Sequence, residues 1–279
     1  MTEISFDLLI ALVAFAAGTV GALIGLGGGI IITPILVLGF GIDIRYAMGA
    51  ALASVIATSS GAAAAYLRDG ISNMRVGMFL CIATTVGAVT GAYLAMILNP
   101  DKLSIIFGLA LLASALLSLR KAKPDPSSTE TGDPIAVKLR LNGEVPGPNG
   151  PVAYPVFGVI PGFAVMYVAG ILSGMLGIGS GAFKVLAMDQ IMRIPFKVTT
   201  ATSNFMIGVT AAASIGIYLK KGWIDPVLVY PVALGVLVGA FVGAKLLPVA
   251  PVKILRLVFL VAVVAIGAEM ILRGVGINL

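Results

Sequence analysis

Lys184 lies three residues past Gly181 in the run AFKVLAMDQIM, a basic side chain inside an apolar segment that also carries Asp189 and Gln190. An ammonium near mid-membrane costs about 2.5–3.5 kcal/mol on insertion scales, and such groups persist where they meet a carbonyl, a counter-ion or a substrate. Lys184 therefore has two readings. It is a structural cation that snorkels or pairs locally, or it is a fixed positive charge facing an anionic substrate. Asp189, five residues on, would partner Lys184 only loosely and is a candidate for proton coupling. The next segment opens KVTTATSNF, which sets Thr199, Thr200, Thr202, Ser203 and Asn204 within six positions. Hydroxyls in helices often bond their own backbone. Clustered beside Lys184, however, Thr199, Thr202, Ser203 and Asn204 predict a polar wall able to face a substrate.

The glycines bring a second kind of chemistry. GIGSG places Gly177, Gly179, Ser180 and Gly181 just before Lys184, and GLGGG places Gly25, Gly27, Gly28 and Gly29 in the first half. Glycine lets a backbone leave helical geometry. A helix restarted after such a break offers unpaired N–H groups and a positive dipole end, which suit an anion. Neither cluster is a nucleotide signature, because Ile30 holds the third fingerprint position and no Gly-Lys-Ser/Thr follows. Tight helix packing is the alternative use of both clusters, and it is the preferred reading for Gly87/Gly91 and for Gly235/Gly239/Gly243.

Other chemistry is excluded by composition. There is no histidine, which removes the commonest general base and metal ligand. The lone cysteine, Cys81, rules out an internal disulfide, a multi-cysteine zinc site and an iron–sulfur cluster. A rhomboid-type serine motif fails because Ile178 stands two positions before Ser180, and aspartyl proteolysis lacks a second intramembrane aspartate. No enzyme, cofactor or metal is expected. The net charge of +6 reads as membrane topology and not as nucleic-acid binding.

What must position these groups is a membrane fold. Of 279 residues, 59% are hydrophobic and 11% charged, against about 25% charged in soluble domains. The N-terminal MTEISFDLLIALVAFAAGTVG has no positive n-region and reads as the first helix. A constant offset of 152 residues lays Gly25–Gly29 on Gly177–Gly181, Arg45 on Lys197, Thr58 on Thr210 and Tyr66-Leu67-Arg68 on Tyr218-Leu219-Lys220. The same offset lays Gly70 on Gly222, and Val86-Gly87-Ala88 with Gly91-Ala92 on Val238-Gly239-Ala240 with Gly243-Ala244. An internal duplication follows. Each half has a long apolar span, Phe6–Ile24 or Tyr154–Leu176, then a glycine cluster with a short apolar segment, Gly25–Phe40 or Gly177–Met192. Three further spans follow, Tyr46–Leu67, Val76–Leu98 and Leu103–Leu119, matched by Val198–Leu219, Pro226–Leu247 and Val252–Leu272.

Eleven helical residues rise about 16 Å, and five extended residues add about 16 Å. A short segment broken at its glycines therefore just crosses about 30 Å of hydrocarbon; a re-entrant hairpin is the rival. If the short segments cross, each half has five crossings and the halves are inverted. Basic residues then fall mainly on one side, with Arg68, Arg75, the 120–153 stretch, Arg193, Lys197, Lys245, Lys253 and Arg256. Arg45, Lys102, Lys220, Lys221 and Arg273 fall on the other. The positive-inside rule favours this arrangement, with both termini outside. The fold expected is an all-α integral membrane protein of two inverted-topology repeats, about five segments each, with a glycine-broken short helix in each half. Residues 1–119 form the N-terminal repeat, 120–153 a cytoplasmic linker and 154–279 the C-terminal repeat. Within the linker, Ile135–Leu141 alternates apolar and basic residues like a strand or hairpin arm.

The duplicated glycine-rich break, the Ala/Thr-rich helix after it, the Tyr-Leu-Arg/Lys-x-Gly end and the paired Gly-Ala-x-x-Gly-Ala helix resemble the TauE/SafE sulfite exporter family, also called the TSUP (toluene sulfonate uptake permease) family. The likeness is strongest in GIGSGAFKVLAMDQIMRIPFKVTTATSNFMIGVTAAAS and covers nearly all of the chain outside the linker. It implies a prokaryotic inner-membrane protein that moves small sulfur-containing anions such as sulfite, sulfonates or sulfoacetate. Two positions depart from the family's pattern: Ser180 interrupts the glycine run, and Leu186 stands where a proline is usual, which the first half keeps as Pro34.

The leading functional reading is a secondary transporter that alternates access around the two broken helices, driven by an ion gradient or by the substrate gradient. A passive anion channel and a non-transporting membrane subunit are the alternatives. The partners expected are a small anion, the lipid bilayer and a coupling proton or sodium ion. A homodimer stands as one option for assembly.

Overall fold

The computed structural model describes residues 3–24, 27–68, 70–119, 132–147, 150–177, 179, 181–247 and 252–276. The expectations placed on Gly25, on Ser180 and on linker residues 120–131 lie outside the described residues. The chain is mostly helical. Helix α1 (Glu3–Ile24) precedes a short α2 (Gly29–Pro34) that runs into a π-helical turn, Ile35–Gly39. Helices α3 (Ile44–Arg68), α4 (Met74–Ile97) and α5 (Pro100–Leu119) follow. After α6 (Pro134–Lys138) and the hairpin β1 (Gly143–Gly147) and β2 (Gly150–Tyr154), the order returns. It comprises α7 (Val159–Leu176), α8 (Gly181–Leu186) with a π-turn at Ala187–Ile191, α9 (Phe196–Lys220), α10 (Pro226–Leu246) and α11 (Val252–Gly274).

The bounds repeat at the sequence offset. Helix α2, its π-turn and α3 fall on α8, its π-turn and α9 residue for residue. Left-handed glycines repeat too: Gly27 (φ 69°) matches Gly179 (72°), and Gly70 (65°) matches Gly222 (69°). Pro34 closes α2 while Leu186 closes α8, so the π-turn forms with or without proline.

Among the described residues, five helical stretches are long and apolar enough to cross a membrane: Ile44–Ala64, Met74–Ile97, Val159–Leu176, Phe196–Lys220 and Pro226–Leu246. Asp7–Leu23 and Gly29–Gly39 are shorter apolar helices. In lipid each backbone polar group must be satisfied internally, which a helix does within one segment. Where helices begin near polar loops, side chains serve the first amides. Asn73 accepts from the Val76 amide (3.1 Å) and Asp225 from the Val227 amide (2.9 Å). Large apolar side chains on the outside, including Leu12, Met78, Leu116, Tyr230 and Leu234, stand exposed as lipid-facing residues do.

The glycine stripes on α4 and α10 are packing faces, as the spacing predicts. A methyl at Gly235, Gly239 or Gly243 would run into the carbonyl of Ala11, Phe15 or Thr19, so α10 lies parallel and backbone-close to α1. A methyl at Gly87 or Gly91 would run into the carbonyl of Tyr167 or Ile171, which sets α4 against α7 in the same way. At the centre α3 and α9 run antiparallel. Gly49 abuts Trp223, the Ser59 hydroxyl reaches the Phe205 carbonyl (3.3 Å), and the Asn73 amide reaches Thr202 Oγ1 (3.0 Å). Helices α5 and α11 are antiparallel too, Gly108 lying against Gly267 and Gly274 against Asp101 and Ile105. Beyond its π-turn the chain from α8 comes back to the start of α7, where the Phe157 amide donates to the Met192 carbonyl (3.1 Å).

The linker differs from its expected form. Ile135–Leu141 is not a strand. Asp133 accepts from the Ile135 amide (3.0 Å) with Pro134 at the first helical position, a start signal that outweighs the alternation and launches α6. The Leu141 amide then closes the turn on the Ala136 carbonyl (2.8 Å). The hairpin sits further on, with Gly143 opposite Tyr154 and Gly147 opposite Gly150. The last long span before the second glycine cluster accordingly begins at Val159, after a left-handed Gly158, and not at Tyr154.

Candidate functional site

Helices α3 and α9 each present one face, in matching positions, to the glycine-rich segments. On α3 this face is Ala51, Val55 and Thr58; on α9 it is Ser203, Ile207 and Thr210. The Gly28 amide, next to the start of α2, donates to Thr58 Oγ1 (3.3 Å), so this amide is already engaged. Gly29 lies against the Ala51 carbonyl and Val55. On the other side the Ser203 hydroxyl donates to the Gly181 carbonyl (3.5 Å) at the start of α8. Gly27 and Gly179 both pack on Val55 and Ile207, and Gly29 approaches the Gly177 carbonyl, so the two clusters meet at the α3–α9 crossing. Gly177, at φ 69°, ends α7, and its amide returns to the Ser173 carbonyl (3.0 Å).

Lys184 is fully buried at 0% exposure. Its ammonium donates to Thr210 Oγ1 (2.8 Å) and reaches the Met206 carbonyl at 3.5 Å. Thr210 in turn donates to that carbonyl (2.7 Å) and lies 3.2 Å from Thr84 Oγ1 on α4. An ammonium has three donors. Among the described residues two neutral acceptors face them, one at the limit of hydrogen-bond distance. A desolvated cation held by neutral groups is costly unless an anion joins it or it gives up its proton.

The remaining residues of the expected wall bond to different elements. Thr199 donates to the Phe196 carbonyl of its own helix (2.8 Å). Thr202 accepts from Asn73 and so faces the linker side. Asn204 turns to the end of α1, its Nδ2 donating to the Ala22 carbonyl (3.0 Å) and to the Thr200 carbonyl (3.1 Å). Asn204 Oδ1 and Thr200 Oγ1 are buried without a partner among the described residues. Asp189 sits largely buried in the second π-turn. In this conformation Thr199, Thr202, Ser203 and Asn204 are all closed to solvent.

Several residues that build the site were not singled out from sequence. Thr210 holds Lys184, and Thr84 stands behind Thr210. Tyr66 donates to the Ala22 carbonyl (2.9 Å), and Tyr218 to the carbonyls of Gly174 (2.9 Å) and Met175 (3.1 Å). Each tyrosine thus serves the last turn of the helix before a glycine cluster. The signal was present, since Thr58/Thr210 and Tyr66/Tyr218 are matched pairs at the 152-residue offset.

Span-length apolar helices packed about a sealed cation define an integral membrane protein in which a charged centre is kept away from lipid. The family model described as sulfite exporter TauE/SafE matches residues 10–270, and the chain belongs to that family of membrane transporters. The probable membrane transporter protein YunE of Bacillus subtilis is 28% identical, the match covering 97% of this chain and 99% of YunE. The probable membrane transporter protein YdhB of the same organism is 30% identical over 89% of this chain and 94% of its own length. The probable membrane transporter protein ORF9 of a Sinorhizobium species is 25% identical over 97% and 95%. No solved structure matches the chain.

Proposed function

We propose that the chain is a secondary transporter of a small sulfur-containing anion, of the sulfite, sulfonate or sulfoacetate class, working by alternating access around its two glycine clusters. The single observation that carries the reading is Lys184, an ammonium removed from solvent that faces two neutral acceptors among the described residues and has a donor to spare. The sulfur-anion class rests on the family's sulfite exporter description. Residues 1–119 and 154–279 are the two halves, inverted relative to each other and joined by 120–153 on the cytoplasmic side of a prokaryotic plasma membrane. The antiparallel course of α3 and α9, and of α5 and α11, supports inversion, because each pair matches at the sequence offset. The return of Met192 to the start of α7 supports a crossing by the α8 segment over a re-entrant loop. Gly27–Gly29, Gly177, Gly179 and Gly181 supply the flexible backbone of the pathway, Ser203 lines it, and Asp189 is the candidate group for a coupling proton.

The test uses purified protein in proteoliposomes with sulfite, sulfoacetate, taurine, thiosulfate and sulfate. Saturable counterflow with at least one of the sulfur oxyanions is expected, which a passive channel does not give. Lys184→Met then separates function from architecture. Losing a desolvated charge pair costs about 2 kcal/mol or more, so affinity should fall roughly thirtyfold or further. Melting temperature should hold or rise, because the variant removes an uncompensated buried charge. Unchanged affinity would take Lys184 out of the site, and a large drop in melting temperature with binding intact would make it a structural cation.

A further inference from the structure

We infer that Val55 and Ile207 form the closing pair of the transport pathway, two aliphatic side chains, one from each half, that must part before an anion can pass between the glycine clusters. The inference rests on the transport reading above and adds the residues that seal it.

Four observations carry it. Val55 and Ile207 occupy equivalent positions, one on α3 and one on α9, at the offset that relates the halves. Both are fully buried, at 0% exposure. A methyl placed on Gly27 would lie 2.5 Å from Ile207 Cδ1 and 3.6 Å from Val55 Cγ2. A methyl placed on Gly179 would lie 3.0 Å from Val55 Cγ1 and 3.1 Å from Ile207 Cβ. The two side chains thus fill the space between two left-handed glycines whose own walls are bare backbone. On α9, Ile207 stands one turn from Ser203 and from Thr210, between the contact to Gly181 and the contact to Lys184.

The physical consequence is a barrier of a particular kind. An aliphatic constriction excludes water and an anion without any charge of its own. β-Branched side chains in a helix are nearly locked at χ1, Val and Ile holding one rotamer about 90% of the time. Such a pair does not flicker open by side-chain rotation. It opens when α3 and α9 move apart, which ties the seal to the movement of the halves and explains why both positions carry stiff residues opposite glycine. When they separate, the space created is lined by amides and carbonyls of the glycine clusters and leads to Lys184.

The test is chloride entry into proteoliposomes containing lucigenin, whose fluorescence chloride quenches, run beside sulfoacetate and sulfite counterflow on the same preparations. The double variant Val55→Ala/Ile207→Ala should admit chloride roughly tenfold or more faster than wild type, the change that about 1.4 kcal/mol off a barrier gives. The exchange Val55→Ile/Ile207→Val, which keeps the combined volume, should restore the seal. If the double alanine variant is not monodisperse on size exclusion, the single variants Val55→Ala and Ile207→Ala carry the measurement and should each leak more than wild type. Folded alanine variants as tight as wild type, with counterflow intact, overturn the closing pair and leave the transport reading standing. Leaky alanine variants of a protein without counterflow keep the seal and overturn the sulfur-anion reading. Tight variants without counterflow overturn both.

Discussion

Two threonines on α9, both buried at 0% exposure, have opposite worth. Thr210 gives Lys184 its short hydrogen bond, so Thr210→Val leaves the ammonium, among the described residues, with the Met206 carbonyl at 3.5 Å. Removing one partner of a buried charged group costs about 1–3 kcal/mol. The loss should appear as a lower melting temperature in detergent and should vanish in a Lys184→Met background, because there the cation that needs the hydroxyl is gone. Thr200 Oγ1 has no partner among the described residues. Thr200→Val replaces an unsatisfied buried hydroxyl with a methyl of similar size, and the melting temperature should hold or rise. If Thr200→Val proved the more damaging change, the assignment of polar partners along α9 would be wrong.

Helix ends tell a related story, since the last carbonyls of a helix lose their intrahelical donors. At the end of α1 the Ala22 carbonyl receives both Tyr66 Oη–H and Asn204 Nδ2–H. Near the end of α7, Tyr218 serves the carbonyls of Gly174 and Met175. Tyr66→Phe therefore has a substitute donor in place, while Tyr218→Phe removes the one hydroxyl proton that the Gly174 and Met175 carbonyls share. A net hydrogen bond is worth about 0.5–1.5 kcal/mol. Tyr218→Phe should lower the melting temperature by the larger amount, with faster amide exchange in the last turn of α7; equal effects would refute the asymmetry. The repeat, the glycine packing faces and the polar character of α9 were legible from sequence because each is a pattern of residue types at a fixed spacing. The tyrosines were visible as a matched pair but read as helix ends, because their partners lie 44 and 43 residues away and nothing local names them. The π-turns left no mark either, since Ile35–Gly39 and Ala187–Ile191 share no residue type that would force one. In the linker, periodicity lost to a cap, Asp133 with Pro134 deciding α6 over the alternation of Ile135–Leu141.

Across the molecule, one asparagine joins three parts. Asn73 caps α4 through its Oδ1, takes Thr202 of α9 through its amide, and binds the linker through Nδ2 to the Leu141 carbonyl (2.8 Å) and to Tyr154 Oη (2.9 Å). Asp133 adds a second tie by accepting from the amides of Ile135 and Val159, so the same carboxylate starts α6 and α7. The described residues of the linker are therefore fastened to elements of both halves. Asn73→Ala removes three side-chain bonds and should cost about 1–3 kcal/mol, with exchange of the 132–157 amides rising before that of α9. Tyr154 gives this docking a pH limit. Burial pushes its phenol up to about 12, and the Asn73 amide pulls the other way without reversing the shift. The unfolded phenol ionises near 10. A raised value means the folded state favours the neutral phenol, so the contribution is fully present below about pH 10 and is lost as pH rises through about 12. Tyr154→Phe cannot ionise and should flatten that alkaline fall while costing the Asn73 bond at every pH. Melting curves between about pH 9 and 12 decide it: an alkaline limb of the same slope in Tyr154→Phe would assign the transition to other groups and detach the linker from it.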